Sequence, residues 1–280
     1  MQWKVLSSLI CLSGSLYAGS ALRDTPVRLK HFVPQLGETV AVHIHSFTGP
    51  GEMTTSQDGQ VKKGEIEITW QQELERTEVL DNGVKKLRYK VLKDTVVREV
   101  TMGGEKDTRT TTSPLVGKTV EGMQDASGTW RLFLDSAADA EQAVLMDELE
   151  SYEKRRWFIE QPVRIGTTWD FSPSFIKHIM ERDLKGAKVI AKMKLKDVKM
   201  LNQVPVAVVS FSIKSAGVRH DADASISLDG EVWIDMKRMF DYKITMQGEM
   251  TTASSHGGTT TVVKTPVKYL VTKELKSGSR

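Results

Sequence analysis

Glu65-Ile66-Glu67-Ile68-Thr69-Trp70 alternates polar and apolar residues without a break. In an extended chain successive side chains point to opposite faces, so Ile66, Ile68, Trp70 and then Leu74 share one face. Glu65, Glu67, Thr69 and Gln71 share the other and face water. This is the signature of a strand with one buried face, and it sets the reading of everything around it.

The same period recurs on both sides. Ala41-Val42-His43-Ile44-His45 alternates, as do Leu87, Tyr89 and Val91 with Arg88 and Lys90 between them. Further on, Val189, Ala191, Met193 and Leu195 alternate with Lys192, Lys194 and Lys196. Val204-Val206-Val208, Ile226-Leu228, Val232-Ile234, Ile244-Met246 and Val267-Tyr269-Val271 complete the series. Asp58-Gly59, Asp81-Asn82-Gly83, Ser127-Gly128, Asp229-Gly230 and His256-Gly257-Gly258 punctuate it with residues that suit tight turns. Strands joined by short turns predict an antiparallel meander with one buried face.

Two stretches depart from this period. Residues 137–157 lack Gly and Pro, and Leu145, Leu149 and Tyr152 fall at i, i+4 and i+7. Ser136 is placed to cap that helix; Asp139 and Glu141 suit its first turn, and Lys154, Arg155 and Arg156 its last. A second helix is predicted over 174–184, opened by Ser172-Pro173, closed by Gly186, with Phe175 and Ile179 inside. The fold class that follows is mainly β (β-rich α+β): a curved antiparallel sheet or open half-barrel with two helices, near 137–157 and 174–184.

A short pattern occurs three times. Leu36-Gly37-Glu38-Thr39-Val40 follows Pro34, Val116-Gly117-Lys118-Thr119-Val120 follows Pro114, and Ile165-Gly166-Thr167-Thr168-Trp169 follows Pro162. Each reads as a turn into a strand. Pro ends the preceding element, Gly takes a backbone angle that other residues avoid, and Thr with Val or Trp begins extended chain. The spacings are unequal, which excludes a solenoid. They leave open two related halves, 22–135 and 160–280, joined by the long helix within a single domain 22–280.

Residues 1–21 read as a secretory signal peptide. Lys4 is the charge of a short n-region, Val5 to Ala18 is uncharged and largely apolar, and Ala18-Gly19-Ser20-Ala21 supplies small residues for cleavage. The apolar run falls short of the ~20 residues of a membrane-spanning helix. Cys11, the only cysteine, lies in it, so the mature chain is expected to have neither disulfide nor thiolate. An exported protein, periplasmic or extracellular, then rests on its core alone. About 260 residues suffice, since a chain that size buries roughly 70–75% of its unfolded surface. The net charge of +3 is not that of a polycation built for nucleic acid, and no second long apolar stretch predicts a transmembrane helix after cleavage.

Pro114-Leu115-Val116-Gly117-Lys118-Thr119-Val120, the helix, Pro162 to Trp169 and the late Gly230-Glu231-Val232-Trp233-Ile234-Asp235 hairpin together resemble uncharacterised exported β-rich proteins of bacteria. In architecture the chain is also similar to periplasmic lipoprotein carriers, in which a curved antiparallel sheet wraps helices and holds lipid. That second resemblance carries no residue over.

Candidate chemistry is thin. His43 and His45, two apart on a strand, point the same way, as metal ligands in β-barrels do. With Gly37 before and Glu52 after them they brush against a cupin pattern, but the acidic residue comes too late and a second histidine motif is missing. With Val42 and Ile44 buried, both histidines face solvent. His31, His178, His220 and His256 have no spaced partner. The carboxylate pairs Glu65/Glu67, Glu73/Glu75 and Asp221/Asp223 are the ordinary means of keeping a strand soluble, and the row Lys192, Lys194, Lys196 reads first as a solvated face or guarded edge, with a contact to anionic lipid heads or cell-wall polymer as the alternative. No nucleophile elbow, zinc-protease motif or phosphate-binding glycine loop occurs, so no catalytic or cofactor-binding residue is assigned. The leading expectation is a non-enzymatic binding or carrier module for an apolar or lipid-like ligand. The alternatives are a structural, envelope-associated protein without a small ligand, and a metal-dependent cupin-like enzyme using His43 and His45.

Overall fold

The computed structural model describes residues 25–158, 160–181, 184–219 and 221–276. The expected signal peptide with Cys11, and His220, lie outside the described residues.

Long strands dominate: β1 (Val27–Arg28), β2 (Thr39–Gln57), β3 (Gln60–Asp81), β4 (Val84–Met102), β5 (Glu105–Thr112), β6 (Thr119–Gln124) and β7 (Trp130–Phe133). Helix α1 (Ala140–Lys154) follows, then β8 (Pro162–Val163), β9 (Thr168–Asp170) and the short α2 (Pro173–Phe175), which runs into a wider turn, Ile176–Met180. The chain ends in β10 (Lys185–Leu201), β11 (Val204–Arg219), β12 (Ala222–Asp235), β13 (Phe240–His256) and β14 (Thr259–Lys276). Twelve strands form one antiparallel sheet in the order β7-β6-β4-β3-β2-β14-β13-β12-β11-β10-β9, with β5 beside β4. The end strands β7 and β9 do not meet, so the sheet is open. β1 and β8 make a separate pair, with Val27 opposite Val163.

The mainly β class read from the alternation is therefore the observed one. The first and second halves of the chain share a single sheet because β2 pairs with β14, Val42 opposite Lys273 and Ile44 opposite Val271. Two apolar clusters fill its inner side. One gathers Leu195, Val209, Val232 and Ile234, all without solvent exposure, under Trp157, Phe171 and Phe175. Their rings stack closely: Trp157 and Phe175 centroids lie 4.5 Å apart, Phe171 and Phe175 4.8 Å. The other joins Leu87, Tyr89, Val91 and Val120 to Leu149 of α1, with Leu145 and Tyr152 packed beside it.

The three proline–glycine patterns are three copies of one turn. Gly37, Gly117 and Gly166 take φ of +82°, +78° and +89°. Only a residue without Cβ adopts such angles freely. In each copy the glycine N–H donates to a carbonyl of the adjacent strand: Glu78 at 2.8 Å, Val91 at 2.9 Å and Leu195 at 2.8 Å. The residue after each glycine donates to the carbonyl three positions back. Strands β2, β6 and β9 begin two residues beyond their glycines.

The helices differ from the expected spans. Helix α1 starts at Ala140 rather than 137, capped by Asp139 and not Ser136. The Asp139 carboxylate accepts from the Gln142 N–H at 2.8 Å and the Gln142 side chain accepts from the Asp139 N–H, a reciprocal box that Ser136 cannot close. It ends at Lys154, and Arg155 is already extended (φ −67°, ψ 145°). The second helix is shorter than 174–184. Ser172 caps it at Phe175, and the N–H of Glu181 reaches back five residues to Ile176. Residues 273–276 are paired in β14.

Candidate ligand cavity

Between the inner face of the sheet and the helices lies a cavity of about 970 Å³. Inward positions of β2, β3 and β11 to β14 supply its apolar wall: Val42, Ile44, Leu74, Ile213, Ile226 and Leu228, continued by Ile244, Met246 and Val271. Leu149 of α1, Trp157, Phe175 and Ile179 face that wall, and residues 31–34 pass along the rim. Strands as far apart in the sheet as β4 and β11 line this one space, as in a sheet curved around its contents.

One end of the cavity is polar. Arg76 grips Glu153 with two hydrogen bonds, Nε at 2.8 Å and Nη2 at 2.9 Å, and reaches Glu78 at 2.8 Å. The Tyr89 hydroxyl donates to the same Glu153, and Lys85 meets Glu78. Burial pushes the Glu153 carboxyl up, but Arg76, Tyr89 and Arg155 outweigh it and hold it below its ordinary value. Desolvation raises Tyr89 well above the usual phenol range. Beside this cluster Lys273 Nζ donates to Asp241 at 2.6 Å. Desolvation lowers the Lys273 pKa in spite of that partner, and the Arg155 charge adds to the effect.

Arg155 and Arg156 complete this end. The chain turns extended at Arg155, just past the end of α1; the Arg155 guanidinium lies over aromatic rings, while Arg156 still serves the helix terminus by bonding its last carbonyls. Arg155 lies over the rings of Tyr152 (4.7 Å) and Trp157 (5.7 Å). Arg156 donates from Nη1 to the Glu153 and Arg155 carbonyls at 2.9 and 2.8 Å. Among the described residues neither pairs with a carboxylate. Burial and Arg156 depress the His31 pKa at the cavity rim, though the side chain keeps much of its contact with solvent.

The residues singled out from sequence stand elsewhere. His43 and His45 are exposed on the outer face, since Val42 and Ile44 between and beside them turn inward. Glu73 is the cross-strand neighbour of His43, and among the described residues no three His, Cys, Asp or Glu side chains gather closely enough to hold a metal ion. Glu75 pairs with Lys276 at 2.8 Å. In the lysine row, Lys192 pairs with Asp170 at 2.5 Å and Lys196 with Glu231 at 2.6 Å. His178, isolated in the sequence, lines the cavity. The polar cluster was missed, yet parity carried a signal: Arg76 and Glu78 continue the inward register of Leu74, and Lys273 that of Val271.

No protein-family model matches the chain, and no curated protein does. Among solved structures, a DUF1329 family protein from Desulfovibrio piger aligns over 87% of this chain and 86% of its own, at 11% identity and a TM-score of 0.15. The structure of HCR/D-Sa-GBL1/C aligns over 82% and 78%, at 10% identity and a TM-score of 0.16. A botulinum neurotoxin type C structure covers the same shares at 9% identity and a TM-score of 0.12. Likenesses this distant carry nothing on fold or activity. Among the described residues no helix is long and apolar enough to cross a membrane.

Proposed function

We propose that the chain is exported and works as a non-enzymatic carrier that holds an apolar, lipid-like molecule between its sheet and its helices. The cavity of about 970 Å³ carries this reading, because it stands at the upper end of the ~300–1,000 Å³ typical of small-molecule pockets. Its wall of Ile, Val, Leu and Met offers a ligand the same transfer free energy that builds a core, roughly 0.8 kcal/mol per methylene removed from water. The export half of the reading rests on the sequence of residues 1–21.

Native mass spectrometry of the protein purified from its own host tests the reading. A lipid adduct is expected on the wild type, and its loss is expected in Ile226→Trp, which places an indole in the cavity. A wild type that carries no adduct and takes up no added lipid ends the carrier reading. N-terminal sequencing of the secreted protein is expected to begin at Ala21 or Leu22.

A further inference from the structure

The charges around the cavity do not balance. Of its cationic residues, Arg76 and Lys85 share Glu78, Arg76 also holds Glu153, and Lys273 holds Asp241. Lys154 and Arg131, also on the lining, turn to Glu150. Among the described residues Arg155 and Arg156 are left over, and the lining carboxylates Glu78, Glu153 and Asp241 are each already engaged.

Hydrogen-bonding capacity is unbalanced in the same sense. Arg76 Nη1 and Trp157 Nε1 are buried N–H donors without an acceptor among the described residues, and Trp157 is only 7% exposed, whereas the lining acceptor that lacks a hydrogen bond, Glu78 Oε2, lies against the Lys85 ammonium. Both residues line the cavity, as does Arg155, whose guanidinium is stacked on Trp157. A buried donor left unsatisfied costs about 1–3 kcal/mol, so such groups mark where an acceptor belongs. A neutral alcohol or amide would bring further donors. An ionised oxyacid brings acceptors only, together with the missing negative charge.

We infer that the cavity takes an acyl-chain amphiphile with an anionic head group, a carboxylate or a phosphate, whose oxygens meet Arg155, Arg156 and the free N–H groups of Arg76 and Trp157 while its chain lies along Ile44, Ile226 and Met246. This rests on the carrier reading and sharpens it to one class of lipid. Arg suits the role better than Lys: its planar fork engages two oxygens at once, and it stacks on the aromatic rings that hold Arg155 in place. The head-group end is closed from below by the Arg76–Glu153–Tyr89 cluster. The carboxylates at that end, Glu153, Glu78 and Asp241, are each matched by a cation, Arg76, Lys85 or Lys273, which offsets their repulsion of an anionic ligand.

Equilibrium binding of three probes to the full chain tests it: oleate, oleoyl lysophosphatidate and neutral mono-oleoylglycerol, each below its aggregation threshold, with inorganic phosphate and acetate alongside. Oleate or the lysophosphatidate is expected to bind at least ~10-fold more tightly than the neutral lipid, the scale of one charge-assisted contact. The gap is expected to close in Arg155→Gln/Arg156→Gln and to narrow as salt rises from 0.05 to 1 M, since that attraction is screened. Which anionic lipid binds better separates carboxylate from phosphate. The salt series on the wild type keeps the test decisive should the double variant not fold. Equal, salt-independent binding of all three lipids overturns the anionic head group and leaves the carrier standing. Binding of none overturns both, and phosphate or acetate binding as tightly as the lipids overturns the amphiphile.

Discussion

The long strands lead two lives along their length. At one end Val42 and Ile44 of β2, Leu87, Tyr89 and Val91 of β4, Ile244 of β13 and Val271 of β14 lie in the clusters under helices and aromatic rings. At the other end the same strands run on with no element over them. There β5 is exposed throughout, and residues 54–63 and 254–264 are exposed or half-exposed. Threonine is the commonest residue of that bare wing, in Thr110-Thr111-Thr112, Thr251-Thr252 and Thr259-Thr260-Thr261. Strand pairing continues across both ends, with one irregularity between Lys264 and Val267 where β14 meets β2, so hydrogen-bonded ladders and β-branched residues suffice to keep the chain extended. What the covered end adds is buried apolar surface, and that is where stability and the cavity reside.

Paired substitutions make that contrast measurable by denaturant unfolding. Leu195→Ala, at a position with no solvent exposure, is expected to cost about 2–5 kcal/mol, whereas Val262→Ala in the wing, 38% exposed, is expected to stay within about 0.5 kcal/mol. Comparable losses at the two sites would break the distinction. Charge gives a smaller version of the same experiment. Glu153→Gln removes the anion that Arg76 grips and is expected to cost about 2 kcal/mol. Glu249→Gln breaks a pair with Lys264 that is more than half exposed on both sides, and is expected to cost under about 0.5 kcal/mol.

Acid titration sharpens the second pair. The folded state holds the Glu153 carboxyl below its ordinary value of 4.5, so the unfolded chain binds that proton first. Its stabilisation is complete above pH 4.5 and is lost as pH falls through the lowered value. Wild type is therefore expected to lose stability below pH 4.5 more steeply than Glu153→Gln, and parallel curves would show that the ion pair contributes nothing to the fold.

Much of this architecture is written in local sequence. The alternation from Glu65 to Trp70 names a strand and its buried face, and the three Pro–Gly patterns name turns, because period and backbone angle are properties of a few consecutive residues. Helix α1 is legible for the same reason, while its start is not: Ser136 and Asp139 both suit a cap, and only the reciprocal bond with Gln142 decides. The cavity is less legible still. Arg76, Glu78 and Lys273 sit on inward parity, but a charge in that register looks like an ordinary surface residue until its partner is known. Those partners come from afar: Glu153 is 77 residues from Arg76, and Asp241 is 32 from Lys273. Arg155 reads as a helix-end cation because nothing local shows that the helix stops at Lys154, whereas Arg156 does bond the Glu153 carbonyl at that end. The carrier expectation came from architecture alone, and the residues that give the cavity its chemical character came from the assembled sheet.

The pairing of β2 with β14 has a consequence in time as well as in space. Thr39 opposes Lys276, so the centre of the sheet closes only when the two ends of the chain find each other. The entropy of closing so long a loop grows only with the logarithm of its length, but contacts so distant in sequence slow the search. Until then the meander from β2 to β7 presents β2 as an unpaired edge, a template open to wrong partners. The cavity wall, in which Ile44 stands beside Val271, is complete only after that seam is shut. A chain that crosses a membrane before folding would meet no such hazard in transit, and its cavity would be the last part of it to mature.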